Sequence, residues 1–119
     1  MSRIALVAAG VVAALALAAP IGATSSVTKL TGTVGPGFTI TLKKGTATVK
    51  TLKAGSYKIT VNDKSNIHDF HLKGPGVNKV ITSTPFKGTK TVTVKLKKGS
   101  YTYVCDPHAS IMHHSFKVK

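Results

Sequence analysis

The chain has 119 residues, of which seventeen are basic and three acidic, and carries a formal charge of +14 at pH 7. That length allows one domain and no more. A single cysteine excludes an intrachain disulfide framework, and with Arg3 the one arginine no guanidinium fork remains to read guanine or grip phosphate once a leader is removed, so no nucleic-acid partner is expected.

Near its start the chain has Arg3 and an almost unbroken run of Ala, Val, Leu and Ile over positions 4–19, with cleavage patterns at Ala16-Leu17-Ala18 within its end and at Ile21-Gly22-Ala23 beyond it. This pattern reads as a secretory signal peptide over residues 1–23, cleaved near Ala23. About sixteen apolar residues fall short of the roughly 20 that cross a bilayer, so no membrane span is expected in the mature form. Residues 24–119 are then the mature domain, expected as a monomer outside the cytoplasm, in the periplasm or cell envelope. An unpaired thiol in such an oxidising compartment needs an occupation, and metal ligation supplies one.

Beyond the leader the pattern is β throughout. Apolar residues alternate with Thr or Lys in Phe38–Leu42, Tyr57–Val61, Val92–Leu96, Tyr101–Cys105 and Phe116–Val118. Turn signals separate the runs at Gly35-Pro36-Gly37, Lys44-Gly45, Ala54-Gly55, Gly74-Pro75-Gly76 and Lys98-Gly99. Seven to eight short strands at this spacing predict an all-β fold, either a Greek-key β-sandwich or a small barrel. The turn Leu52-Lys53-Ala54-Gly55-Ser56-Tyr57 recurs as Leu96-Lys97-Lys98-Gly99-Ser100-Tyr101. Each copy feeds a strand running toward a cluster of metal-binding residue types, so both clusters are expected at one end of the fold.

The second of those clusters, Cys105 to Met112, offers a thiolate, the imidazole of His108 and the thioether of Met112. Soft sulfur donors select copper(I), imidazole also suits copper, and a second histidine would complete a blue-copper set with Met as a weak axial ligand. The segment Asn66–Leu72 contains two candidates. Strand parity puts His68 with Phe70 and Leu72, and His71 with Ile67 and Asp69. The Phe-Leu side is the better interior, which favours His68. Asp69 and Asp106 each follow a proposed ligand directly and are candidates for orienting it by hydrogen bonds. His113 and His114 are not needed and read as surface residues, a weak second metal site with His71, or part of a partner surface.

The segment Gly99–Met112, with its Gly-x-Tyr-x-aromatic-x-Cys-x-Pro-His run ahead of Met112, resembles the C-terminal copper loop of the plastocyanin/azurin family, the cupredoxins. His68-Asp69 is similar to the family's His-Asn pair, with Asp in place of Asn. Three residues separate His108 from Met112, where plastocyanin-like loops more often have four. The resemblance implies a sandwich, one copper ion per chain held by His68, Cys105, His108 and Met112, and one-electron transfer without enzymatic activity. His108 would be the port for the electron, and an acidic redox protein the partner. The high positive charge also suits association with an anionic envelope polymer. Two other classes fit the same residues: a copper storage or resistance protein, and a structural or adhesive β-sandwich that uses its basic surface.

Overall fold

Alternation of apolar residues with Thr and Lys can satisfy the backbone and bury one face only when strands pair into sheets. The computed structural model describes residues 27–119, and the leader segment 1–23 lies outside them. The described residues form ten strands: β1 (Thr28–Val34), β2 (Ile40–Lys44), β3 (Ala47–Thr48), β4 (Thr51–Leu52), β5 (Gly55–Asp63), β6 (Phe70–Gly74), β7 (Val77–Thr82), β8 (Gly88–Leu96), β9 (Gly99–Val104) and β10 (His113–Val118). A single 3-10 turn at Asp106–His108 interrupts the β structure. The expected seven to eight strands become ten because β3 and β4, two residues each, pair at sheet edges where sequence alternation is too short to register.

Two five-stranded sheets face each other as a Greek-key sandwich. One has the order β4-β10-β9-β6-β7, the other β3-β2-β1-β5-β8. β5 lies parallel to β1 and antiparallel to β8, and β9 lies antiparallel to both β10 and β6. Both long strands that follow the repeated turn, β5 and β9, run to the same end of the sandwich, where they release the segments holding His68 and Cys105. The Phe38–Leu42 run begins its strand later than the alternation suggests, at Ile40, and Phe38 stays exposed in the preceding turn.

The core between the sheets is the set of inward positions that the alternation picks out: Leu30, Leu42, Ile59, Val61, Phe70, Leu72, Leu96, Tyr101, Tyr103 and Phe116 are all buried. Phe70 stacks on Tyr103 at 5.5 Å and Tyr101 on Phe116 at 5.4 Å between ring centroids. Such pairs contribute about 0.5–1.5 kcal/mol beyond their area burial. The Tyr101 hydroxyl donates to the Pro75 carbonyl at 2.7 Å and accepts from the Lys97 backbone N–H at 2.9 Å, which fixes the ring at the end remote from His68.

Gly74 packs against that ring so closely that a Cβ would overlap it. Gly74→Ala is therefore expected to destabilise the domain by about 3 kcal/mol, the upper end for overpacked cores. Gly37→Ala, whose added carbon meets nothing within 4 Å, should stay within about 0.5 kcal/mol of the parent. Equal urea midpoints for the two variants would contradict the account of Tyr101 as an immovable ring.

Candidate metal centre

Three of the expected ligands meet at one point. His68 Nδ1 lies 3.1 Å from His108 Nδ1, and Cys105 Sγ lies 3.6 Å from the first and 3.5 Å from the second. Among the described residues this is the group of three metal-ligating His, Cys, Asp or Glu side chains that converges, with all donor atoms within 4.8 Å of one another. A point equidistant from the three atoms of that triangle lies about 2.0 Å from each. Metal–imidazole bonds are roughly 2.0–2.1 Å and metal–thiolate bonds about 2.3 Å, so the donors fit a single trigonal ion. His68 and Cys105 are fully buried and His108 is half-buried. The other nitrogen of His68, Nε2, is buried and has no hydrogen-bond partner among the described residues.

β9 supplies the sulfur. Cys105 continues the inward parity of Tyr101 and Tyr103, and the 3-10 turn with Pro107 inside it turns the chain back to present His108. The Ile111 and Met112 amides close on the His108 carbonyl at 3.0 and 2.8 Å, and the Cys105 amide donates to the Met112 carbonyl at 3.0 Å. That last bond extends the β9–β10 ladder by one pair beyond Val104↔His113. Directly opposed residues share a face with Cβ atoms about 4.5–5.5 Å apart, so Met112, buried in the core, lies beside Cys105 on its inward side. The short His108-to-Met112 gap is absorbed by the tight turn, which leaves the Met112 backbone opposite that of Cys105.

The remaining candidates lie elsewhere. His71 faces away from the three donors, with Nδ1 2.8 Å from Asp106 Oδ2 and Nε2 paired with Asn78 Oδ1. His113 is exposed and pairs with the Ala109 carbonyl at 2.7 Å, while His114 lies tilted against Tyr103. No second metal cluster forms from these residues among the described ones. Asp69 departs from its expected outward position: it is buried, and its Oδ1 accepts from the Asp106 backbone N–H at 2.6 Å. The loop carrying His68 is thus tied to the loop carrying Cys105 and His108.

Three residues escape a reading by sequence spacing. Phe38 packs edge-on against both imidazoles, at 5.4 Å from His68 and 4.9 Å from His108. Gly35, at φ 75°, leaves room for His68, whose Cδ2 a Cβ would approach to 3.1 Å. Asp63, buried at the end of β5, accepts from the Ser65 amide at 3.1 Å and shapes the turn toward His68. The Gly35-Pro36-Gly37 turn beside an aromatic was the available signal for the first two.

Burial pushes the Cys105 thiol above its ordinary range, against the pull of hydrogen bonds from the Asp69 and His108 backbone. The metal-free protein therefore holds a thiol there, and metal binding displaces its proton. Burial, with a side-chain hydrogen bond to Asp106, raises Asp69 from 3.8 to about 6. Burial also works to raise Asp106, but its hydrogen bonds with Asp69 and His71 and the nearby charges of His71 and Lys73 outweigh it and leave that carboxyl below its usual value.

No family model matches the sequence, and no curated protein matches it. Solved structures do. The chain is similar in fold to reduced rusticyanin, with 23% identity over 81% of each chain and a TM-score of 0.57. A rusticyanin carrying side-chain substitutions gives 24% identity over 81% of this chain and 79% of that one, also at 0.57. Rusticyanin from Thiobacillus ferrooxidans gives 22% identity and 0.51 over the same shares. Rusticyanin is a copper protein. The cupredoxin fold implied by the Gly99–Met112 loop is thus the fold found, and His68, Cys105 and His108 fit a single copper site within it.

With its folded-state value near 6, Asp69 binds a proton more tightly in the folded chain than in the unfolded one. Its contribution to stability is full below about pH 4 and is lost as pH rises through about 6. The window of Asp106, whose value is lowered, lies below that range. Asn at position 69 imitates the protonated acid and keeps the acceptor for the Asp106 amide. The melting temperature of the metal-free parent should therefore fall between pH 4 and 7, and the Asp69→Asn domain should lack that fall and be the more stable of the two at pH 7.5. Parallel stability–pH curves would show that Asp69 ionises normally.

Proposed function

We propose that this chain is an extracytoplasmic one-electron carrier with a single type 1 copper ion held by His68, Cys105, His108 and Met112. The observation that carries the reading is the triangle of two Nδ1 atoms and one Sγ at one end of a cupredoxin fold. The buried Met112, hydrogen-bonded through its carbonyl to the Cys105 amide, supports a fourth ligand. Two His and one Cys in a trigonal arrangement with a weak axial thioether are the blue-copper donor set. When bound, copper supplies a one-electron couple between Cu(I) and Cu(II).

The protein's part is to hold the donors still. The Asp69–Asp106 bond, the extended β9–β10 ladder and Phe38 fix the imidazoles and the thiol before metal arrives, which limits rearrangement between oxidation states. Core packing keeps water from Cys105 and Met112. With an ion held by His68, Cys105, His108 and Met112, no coordination position would be left open to substrate, which argues for a carrier and against an enzyme. Half-buried His108 sits among the exposed Phe38 and Ile111, a small apolar rim through which a partner could approach closely. The signal peptide read over residues 1–23 would deliver the domain to the periplasm or cell envelope.

The purified domain with Cu(II) should show an intense blue thiolate band. His68→Ala, Cys105→Ala and His108→Ala should each abolish it while the metal-free domain still folds, and His71→Ala should keep it. A full band in Cys105→Ala would refute the thiolate assignment. Substituting Met112 by Leu or Gln should retain the colour and shift the reduction potential, because a long axial bond tunes the couple more than it retains the ion. Unshifted potentials in both would reduce Met112 to core packing.

Charge predicts the partner. Steering by a strongly positive domain can raise on-rates with an acidic acceptor by about 10–10³, and screening over about 8 Å at physiological ionic strength should suppress the advantage. Transfer to an acidic cytochrome should outpace transfer to a basic one at low salt and converge with it as salt rises. Equal, salt-independent rates would exclude an acidic partner.

A further inference from the structure

The outer face of the sheet β3-β2-β1-β5-β8 carries a feature that electron transfer does not use. Lys43, Lys29, Lys58 and Lys95 stand one on each of β2, β1, β5 and β8, all exposed, while their strand neighbours Leu42, Leu30, Ile59 and Leu96 are buried. Register places them in a line. Lys43 is opposite Thr31, two residues from Lys29; Lys29 is opposite Lys58; and Lys95 is opposite Ser56, two residues from Lys58 in the same direction. Strands about 4.8 Å apart with about 6.7 Å between alternate residues root successive lysines roughly 5–8 Å apart, in an oblique stripe roughly 20 Å long.

No acid balances this stripe. The three acidic residues of the sequence are Asp63 and Asp69, both buried, and Asp106, paired with His71. No lysine among the described residues forms an ion pair. Toward the metal end the stripe is bordered by hydroxyls: Thr31, Thr60 and Thr91 lie side by side, as do Thr33, Asn62 and Thr89. The opposite sheet is different, with Lys73 and Lys117 outward among Thr102, Ser115 and His71.

We infer that this stripe is a docking track for a linear acidic polysaccharide, laid obliquely across the four strands with its hydroxyls against the threonine border. Charge complementarity and the linear placement favour such an occupant. A membrane-inserting or protein-docking face would present a cluster of large exposed apolar side chains. Beside the stripe there is one, Val27 just ahead of β1, while Phe38, Ile67 and Ile111 belong to the metal end and Val80 to β7. Lysine point charges suit carboxylates or sulfates spaced along a chain, where bidentate phosphate recognition favours arginine. Lys29, Lys58 and Lys95 lie in the half of the sheet remote from His108 and Lys43 near its middle, so a bound domain keeps its metal end free.

The test compares two variants of equal charge in the mature domain: the stripe set Lys29, Lys43, Lys58 and Lys95 changed together to Gln, and a scattered set, Lys50, Lys64, Lys79 and Lys87, changed to Gln. The probes are polygalacturonate, heparin, single-stranded DNA and phosphatidylglycerol vesicles, with circular dichroism to confirm folding. The stripe variant should bind both polysaccharides at least tenfold more weakly than the parent, and the scattered variant no more than about threefold. Binding should be the same with and without copper, which separates this inference from the metal assignment. Equal losses in the two variants would overturn it in favour of diffuse charge. A larger stripe effect with DNA or vesicles than with the polysaccharides would overturn the choice of occupant. Should the stripe variant fail to fold, amide NMR shifts in the parent on adding a heparin hexasaccharide decide the matter: shifts confined to β1, β2, β5 and β8 support the track, and shifts spread over both sheets exclude it.

Discussion

The register of β9 between its two neighbours is the constraint on which the metal centre depends. On one side β9 pairs with β10 so that Cys105 is opposite Met112; on the other it pairs with β6 through Val104↔His71, which carries Asp106 level with Asp69. A shift of one residue in either pairing would reverse the parity and turn the thiol away from the methionine or the carboxylate away from the amide. Both pairings are held by the buried aromatic rings of Phe70, Tyr101, Tyr103 and Phe116, which have no alternative face. The core thus sets the geometry at the site from a distance.

Where the ladder stops, one side chain continues its work. The β6–β9 pairing ends before the ligand loops, and the Asp69 carboxylate takes the Asp106 amide that a further backbone pair would have satisfied. This leaves the backbone free to turn at Pro107 while the loops stay joined. An amide side chain would do the same without ionising. The acid achieves it with a carboxyl displaced toward neutrality by burial and by its neighbour Asp106, so the tie that positions the donors also makes the metal-free domain sensitive to pH.

The sandwich also separates two kinds of surface. Its metal end exposes Phe38 and Ile111 beside His108, whereas the outer face of the β1–β5 sheet is threonine and lysine without an acid. Short-range contact and long-range or multivalent attraction therefore have different places on the molecule. The distinction follows from strand alternation: the parity that buries Leu30, Leu42 and Ile59 necessarily exposes Lys29, Lys43 and Lys58.

From the sequence alone, the β class, most long strands, the inward aromatics of β9 and the inward placement of His68 were legible, because each depends on period-two parity within one strand. The likeness of the Cys105–Met112 loop to copper loops was equally local. What parity within a strand cannot give is the relation between strands. That Asp69 is buried and caps Asp106, that Phe38 leaves its expected strand to lie on both imidazoles, and that four lysines from four strands fall into one line were decided by tertiary structure. Each depends on pairings between residues far apart in the chain, whose register is fixed by how the core packs and not by any residue's neighbours in sequence.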